Sequence, residues 1–263
     1  MTDGISIEAH NLTATYGGGP VLWDVDFELP TGQIIGIVGP NGSGKTTLLK
    51  TIMGLVKPSS GYVRVFGKSL DEVRDQVGYV PQRQSVDWDF PVSVYDVVMM
   101  GRYRKQNLLR KMTTADKEIV LESIEKVGLS EFVHRQISQL SGGQQQRVFV
   151  ARALAQKANL YLMDEPFVGV DASTEQAILA LLNGLKDEGK TVVIIHHDLQ
   201  TVSDHFDYLL LLNTRLIAKG TPDEVLTKEN LSNAYGGKLT LLSKVADLIG
   251  KTKFPVREKG VDD

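Results

Sequence analysis

The chain has 263 residues, 42% of them hydrophobic and 23% charged, which is enough apolar material for a substantial core in one large α/β domain or a domain with an inserted subdomain. A formal net charge of -3 with scattered Lys and Arg gives no electrostatic footprint for nucleic acid. The absence of cysteine excludes disulfides and thiolate metal sites, and runs such as Tyr208 to Leu212 fall far short of the ~20 apolar residues that span a bilayer. The opening Met1-Thr-Asp-Gly-Ile is acidic and lacks an apolar region, so it does not read as a signal peptide, and any membrane association is expected to come through a partner.

Residues 5–15 and 21–29 are predicted as two half-buried antiparallel strands. Ile5, Ile7 and Ala9 alternate with polar neighbours, as do Val25, Phe27 and Leu29. Tyr16, at the entry to the turn Tyr16-Gly-Gly-Gly-Pro20, reads either as a strand-end packing residue or as a platform for a nucleotide base. Gln33 to Val38 is a short buried strand leading into Gly39-Pro40-Asn41-Gly42-Ser43-Gly44-Lys45-Thr46-Thr47, which fits G-x-x-x-x-G-K-[ST] in full. Leu48, Leu49, Ile52 and Met53 then recur at helical spacing until Gly54 and Pro58. In such a strand, glycine turn and helix, backbone N–H groups converge on phosphate oxygens. Lys45 is expected to reach the β- and γ-phosphates and the Thr46 hydroxyl to ligate Mg²⁺.

Gly61 to Phe66 and Val77 to Val80 are predicted strands, the second broken by Pro81-Gln82. From there to about Gln139 the pattern is mostly helical. Val94, Val97, Val98 and Gly101 share one face, and Val120, Ile124 and Val127 mark another helix, with Asp116 to Glu118 and Lys126 read as solvated charge. Leu140-Ser141-Gly142-Gly143-Gln144 opens the next helix. Ser141 and Gln144 form a capping box, but two glycines in a first turn, at roughly 1 kcal/mol each, imply close approach of another backbone or a phosphate.

Leu160 to Met163 is a strand ending at Asp164-Glu165, where open α/β sheets bind ligands. Asp164 suits holding Mg²⁺ through water and Glu165 suits polarising an attacking water. Asp171 starts a helix with Ile178, Leu181, Leu182 and Leu185 on one face, and Thr191 to Ile195 is a buried strand ending at His196-His197-Asp198. Tyr208 to Leu212 and Leu216 to Ala218 are predicted as a hairpin around Asn213-Thr214, followed by a short helix opened by Thr221-Pro222. Residues 236–263 are expected to be a loosely packed C-terminal tail.

With these motifs in place, residues 5–235 resemble an ATP-binding-cassette (ABC) transporter ATPase subunit. The most specific element is Leu140-Ser-Gly-Gly-Gln144, which is similar to the family signature, beside Gly39–Thr46 and Asp164-Glu165. The resemblance implies a phosphate-loop NTPase (RecA-like) fold: a mixed-sheet α/β core, an antiparallel β subdomain, and a helical subdomain inserted at about 83–139. It implies ATP and Mg²⁺ as ligands. Tyr16 takes the adenine-stacking position, and Gln82 the Q-loop position that contacts Mg²⁺ and the lytic water. Glu165 takes the catalytic position, Asp171 that of the D-loop aspartate, and His197, which precedes Asp198, that of the switch histidine. The D-loop here reads Phe167-Val-Gly-Val-Asp171, a departure from the commoner Ser-Ala-Leu-Asp.

The resemblance further implies a head-to-tail homodimer, each ATP shared between one phosphate loop and the other copy's Ser141, Gly142, Gly143 and Gln144. Such a dimer would sit peripherally on the cytoplasmic face of the membrane against an integral permease, with an extracytoplasmic solute-binding protein acting indirectly. Val86-Asp-Trp-Asp-Phe-Pro91, Val94 to Arg102 and Glu165 to Asp171 resemble manganese, zinc or iron uptake systems, and Trp88, Phe90 and Arg102 are candidates for permease docking, the aromatics reading equally as core of the helical subdomain. Another small solute, or a role outside transport such as cofactor assembly, is the alternative. Met99 and Met100 read as core fillers and the five histidines show no chelating spacing, so the subunit is expected to power passage without touching the ion.

Overall fold

The structure is a computed structural model and describes residues 4–83, 86, 88, 90–103, 112–199 and 201–236. The expected tail beyond Gly236, and Asp87 and Asp89 of the segment before Pro91, lie outside the described residues.

Among the described residues nine strands form two sheets. A three-stranded antiparallel sheet has the order β2-β1-β4, from β1 (Ile5–Thr15), β2 (Pro20–Pro30) and β4 (Ser60–Val65). A six-stranded sheet has the order β5-β6-β7-β3-β8-β9, from β3 (Ile34–Val38), β5 (Val77–Val80), β6 (Leu160–Asp164), β7 (Thr191–Ile195), β8 (Tyr208–Asn213) and β9 (Arg215–Gly220). β3, β5, β6, β7 and β8 run parallel and β9 is an antiparallel edge. Every residue of β3, β6 and β7 is buried, because a parallel sheet is covered on both faces and its strands are apolar on both.

Those two faces make two cores. Ile35, Ile37, Leu160, Leu162, Val193 and Ile195 point to one, shared with α1 (Lys45–Ile52) and the inner side of the antiparallel sheet. Ile34, Val38, Tyr161, Met163, Val192 and Ile194 point to the other, shared with α5 (Gly142–Ala155) and α6 (Ala172–Asp187). α2 (Leu70–Val73) and α7 (Val202–His205) are single turns, and α8 (Pro222–Val225) and α9 (Lys228–Tyr235) close the described chain against β8 and β9.

In the antiparallel sheet Ile7, Ala9, Leu12 and Ala14 are fully buried. The shift of phase between Ala9 and Leu12 is a bulge at Asn11 (φ 48°), and it is absent from the simple alternation read in the sequence. Ile5 is 41% exposed, so it does not join that core.

Between β5 and β6 lie α3 (Val94–Met99), α4 (Thr114–Lys126) and α5, packed on one another through Val94, Val97, Val98, Val120, Ile124, Val148 and Phe149. Three expectations are corrected here. Asp116 is buried, not solvated: Arg102 donates to its Oδ1 from Nε and Nη2 (both 3.0 Å), and the Thr113 hydroxyl donates to its Oδ2. Arg102 is therefore committed to the interior, with Nη1 also donating to the Ala155 carbonyl (2.7 Å), and is not a docking residue. Met99 is buried but Met100 is 44% exposed, since adjacent helical positions face different ways. On α6 the buried stripe is Ile178, Leu179, Leu182 and Leu185, with Leu181 only half-buried.

Candidate active site

The carboxyl ends of β3, β5, β6 and β7 carry the phosphate loop, Pro81-Gln82, Asp164-Glu165 and His196-His197, so a single sheet edge gathers most of the expected chemistry. Val21, Asn41, Gly42, Ser43, Gly44, Lys45, Thr46, Thr47 and Glu165 line an open cleft there of about 280 Å³. Gly42 and Gly44 adopt left-handed φ of 81° and 98°, which the loop needs to wrap back over the start of α1. Helices α3, α4, α5, α6 and α9 each receive a side-chain cap at the N-terminus. α1 has none and no acidic residue in its first turn, so its N-terminal N–H groups and dipole face the cleft free for an anion. The Ser43 hydroxyl is buried with no hydrogen-bond partner among the described residues, a polar atom that a ligand oxygen would satisfy.

Lys45 is buried, and its Nζ donates to the carbonyls of Gly39 (2.8 Å) and Pro40 (2.9 Å). Burial lowers its pKa, and the nearby carboxylates of Glu165 and Asp164 oppose that shift. Thr46 donates its hydroxyl to Asp164 Oδ1 (3.3 Å), and Gln82 Nε2 donates to Glu165 Oε2 (2.8 Å). Asp164 is pushed up to about 6, first by burial and then by the adjacent Glu165 charge. Two neighbouring carboxylates, one of them desolvated, with a hydroxyl and an amide oxygen at hand make a hard-oxygen donor set. Those residues fit Mg²⁺. Glu165 also sits at φ 50°, a left-handed conformation uncommon for a side chain larger than Asn and held here by the turn after β6.

Other expected residues lie apart from this cleft. Tyr16 is 59% exposed in the β1–β2 turn and is not among the lining residues. Ser141 is exposed at the N-terminus of α5, accepting from Gln144 N (3.3 Å) while Gln144 Oε1 accepts from Ser141 N (2.9 Å). The signature glycines are explained partly within the chain: a Cβ on Gly142 would meet the Arg83 guanidinium at 3.0 Å, and one on Gly143 would meet Thr174 Oγ1 at 3.2 Å. Asp171 caps α6 by accepting from Thr174 N (2.8 Å), and hydrogen bonds from Ser173 and Thr174 hold its carboxyl down at about 2. Of the two histidines, His197 is exposed and His196 is buried against Phe167 and Phe206.

Sequence reasoning passed over Arg83. Its Nε and Nη2 donate to Gln145 Oε1 (3.1 and 2.9 Å), and its carbonyl accepts from Trp88 Nε1 (2.9 Å), which ties the residue after Gln82 to the signature helix. Its position next to Gln82 was the only available signal. Trp88 packs edge-on against Phe149, whereas Phe90 is 57% exposed.

The ABC transporter family model matches residues 22–168. The chain is 56% identical over 236 residues to the manganese transport system ATP-binding protein MntB of Bacillus subtilis, covering 90% of this chain and 94% of that one. It is 54% identical to the zinc transport system ATP-binding protein TroB of Treponema pallidum, covering 89% and 88%. Among solved structures, a dimeric ATP-binding cassette in a post-hydrolysis state bound to ADP and phosphate superposes with a TM-score of 0.72 at 29% identity, over 82% of this chain and 98% of that one. The fold is that of the phosphate-loop NTPases, and the chain belongs to the ABC transporter family of ATP-binding, ATP-hydrolysing cassettes.

Proposed function

We propose that this chain powers uptake of a divalent transition-metal ion through a separate membrane permease, hydrolysing ATP between two copies of itself. Residues 5–235 would be the cassette, with the helices between β5 and β6 as its permease-facing part. The cargo rests on the manganese and zinc transport relatives, similar over about nine-tenths of the chain. Among the described residues no helix is long and apolar enough to cross a membrane, which fits a peripheral subunit on the cytoplasmic face of its permease.

In this reading Gly39 to Thr47 receive the triphosphate of ATP, with Lys45 on its terminal phosphates and Tyr16 stacked on the base. Thr46, Gln82 and Asp164 would hold Mg²⁺, which when bound supplies neutralising charge for the transferred phosphoryl group. Glu165 orients and deprotonates the attacking water, and Gln82 fixes the rotamer of its carboxylate. His197 donates to the terminal phosphate. Asp171 and the Ser141-Gly142-Gly143-Gln144 turn of a second copy cover the face that the first copy leaves open, and an extracytoplasmic solute-binding protein would act only through the permease.

The observation that carries hydrolysis is the Gln82–Glu165 hydrogen bond beside Lys45 and Asp164. In the intact complex, Glu165→Gln should lower ATP turnover by about 100-fold or more while ATP still binds. Unchanged turnover would remove Glu165 as the base. Uptake assays with Mn²⁺, Zn²⁺ and Fe²⁺ test the cargo separately, and transport of a non-metal solute alone would overturn it.

A further inference from the structure

We propose that Glu8, His10 and Glu28 form a site for a divalent first-row transition-metal ion on the outer face of the antiparallel sheet, away from the nucleotide cleft. Strand alternation brings them together. Ile7 and Ala9 of β1 and Phe27 and Leu29 of β2 face the core, so Glu8, His10, Asp26 and Glu28 project from the other side. The β1–β2 register sets Glu8 directly across from Glu28, and the β1–β4 register sets Glu8 beside Arg64 and His10 beside Tyr62.

One ligand atom from each of Glu8, His10 and Glu28 lies within 4.8 Å of the others, with His10 Nε2 3.5 Å from Glu8 Oε2. Donors around a tetrahedral ion bound at ~2.1 Å stand ~3.4 Å apart, so small side-chain rotations complete the shell. A second feature sets this group apart from an ordinary acidic patch. His10 Nδ1 lies 3.7 Å from Asp26 Oδ1, and Asn11 N donates to that same oxygen at 3.0 Å. A carboxylate beside the far nitrogen is what orients a metal-binding imidazole.

The electrostatics favour a cation. Glu8 and Glu28 are like charges directly opposed across two strands, an arrangement that destabilises a sheet unless something bridges it. Arg64 Nη1, 3.9 Å from Glu8 Oε1, is one positive charge against three carboxylates. Arg64 also stacks over Tyr62, whose ring lies 5.1 Å from the His10 ring, and together they wall one side of the group. Imidazole with carboxylates selects transition ions over Mg²⁺ and Ca²⁺, and Zn²⁺ should bind more tightly than Mn²⁺. Three protein ligands and partial exposure leave room for water, as in a site that exchanges its ion. None of this depends on the transport reading.

The test is calorimetric titration of the whole nucleotide-free chain with Zn²⁺, then Mn²⁺, in a large excess of Mg²⁺ to saturate the oxygen donors at Thr46 and Asp164. His10→Ala should remove one Zn²⁺ site per chain. Glu8→Gln, Glu28→Gln and Asp26→Asn should each weaken it by about tenfold or more. His134→Ala, at an exposed histidine elsewhere, should change nothing. ATP binding of each variant should match the unsubstituted chain and its metal-free melting temperature should not fall, with Glu8→Gln and Glu28→Gln if anything raising it by relieving the opposed charges, which separates lost ligation from misfolding. Zn²⁺ binding unaltered by His10→Ala, or displacement of the ion by Mg²⁺, overturns the site.

Discussion

Gly39 is held by its neighbours as much as by its own φ of 151°, because a Cβ there would overlap the Leu212 carbonyl oxygen of β8. Gly44 is similar: at φ 98° a Cβ would lie 2.7 Å from both the Val21 carbonyl oxygen and Leu22 Cδ2. The phosphate loop is thus clamped between two strands before any ligand arrives. His196 is the opposite case, a polar residue the interior keeps neutral. Burial, then the neighbouring His197, pushes its pKa down to about 4, and its Nε2 lies 2.9 Å from Thr201 Oγ1. The unfolded chain takes up this proton near pH 6.5 while the folded chain resists until about 4, so the contribution is fully present above 6.5 and is lost as pH falls through that window. Asp164 acts with the opposite sign. Its raised pKa of about 6 gives stability that is present below about 4 and lost as pH rises to 6. Total stability therefore mixes the two. Subtracting the melting curve of His196→Asn from that of the parent should leave a stabilisation that shrinks between pH 6.5 and 4. A difference independent of pH would show that His196 is not held neutral.

At the scale of elements, one carboxylate fastens three helices. Asp116 binds Arg102 in the turn after α3 and Thr113 at the start of α4, while Arg102 reaches the end of α5 through the Ala155 carbonyl. Both side chains are almost wholly buried, so removing one leaves an uncompensated charge in the interior. Arg102→Ala is expected to destabilise the chain by about 3 kcal/mol in denaturant unfolding, and Arg102→Lys to recover only part of that, because an ammonium cannot give the forked pair and the third bond together. A loss under about 0.5 kcal/mol would place the pair on the surface energetically. None of this was visible in the sequence, where Asp116, Lys117 and Glu118 are three charges in a row and only tertiary packing separates them. The strands were legible for the complementary reason. β3, β6 and β7 are continuous apolar runs that only a doubly covered sheet can accommodate, so their burial follows from their composition.

Across the whole molecule, legibility followed chain distance. The phosphate loop and Asp164-Glu165 could be read because their chemistry is contiguous, whereas Glu8 and Glu28 meet only through strand register and Gln82 meets Glu165 only through the pairing of β5 with β6. The longest such gap concerns Ser141 to Gln144. Within one chain the cleft is lined by Val21, Asn41 to Thr47 and Glu165, and the signature turn takes no part in it. Ser141 of that turn stands exposed with its own cap satisfied, and α1 offers its N-terminus to the open cleft. A triphosphate bound to one copy would therefore be contacted on one side only, and a second copy could supply the other side through an uncharged helix N-terminus able to receive γ-phosphate charge. The two functions should then separate cleanly. With ATP, Glu165→Gln should pass from monomer to dimer by light scattering, since it binds without turning over. Adding Ser141→Arg places a bulky side chain at the dimer seam and should keep the protein monomeric, while ATP affinity of the single chain changes by less than about tenfold, or 1.4 kcal/mol. An ATP-dependent dimer that survives Ser141→Arg would remove the signature turn from the interface. Loss of ATP binding by the monomer would put that turn within the chain's own site, against the open cleft that Glu165 and the phosphate loop form without it.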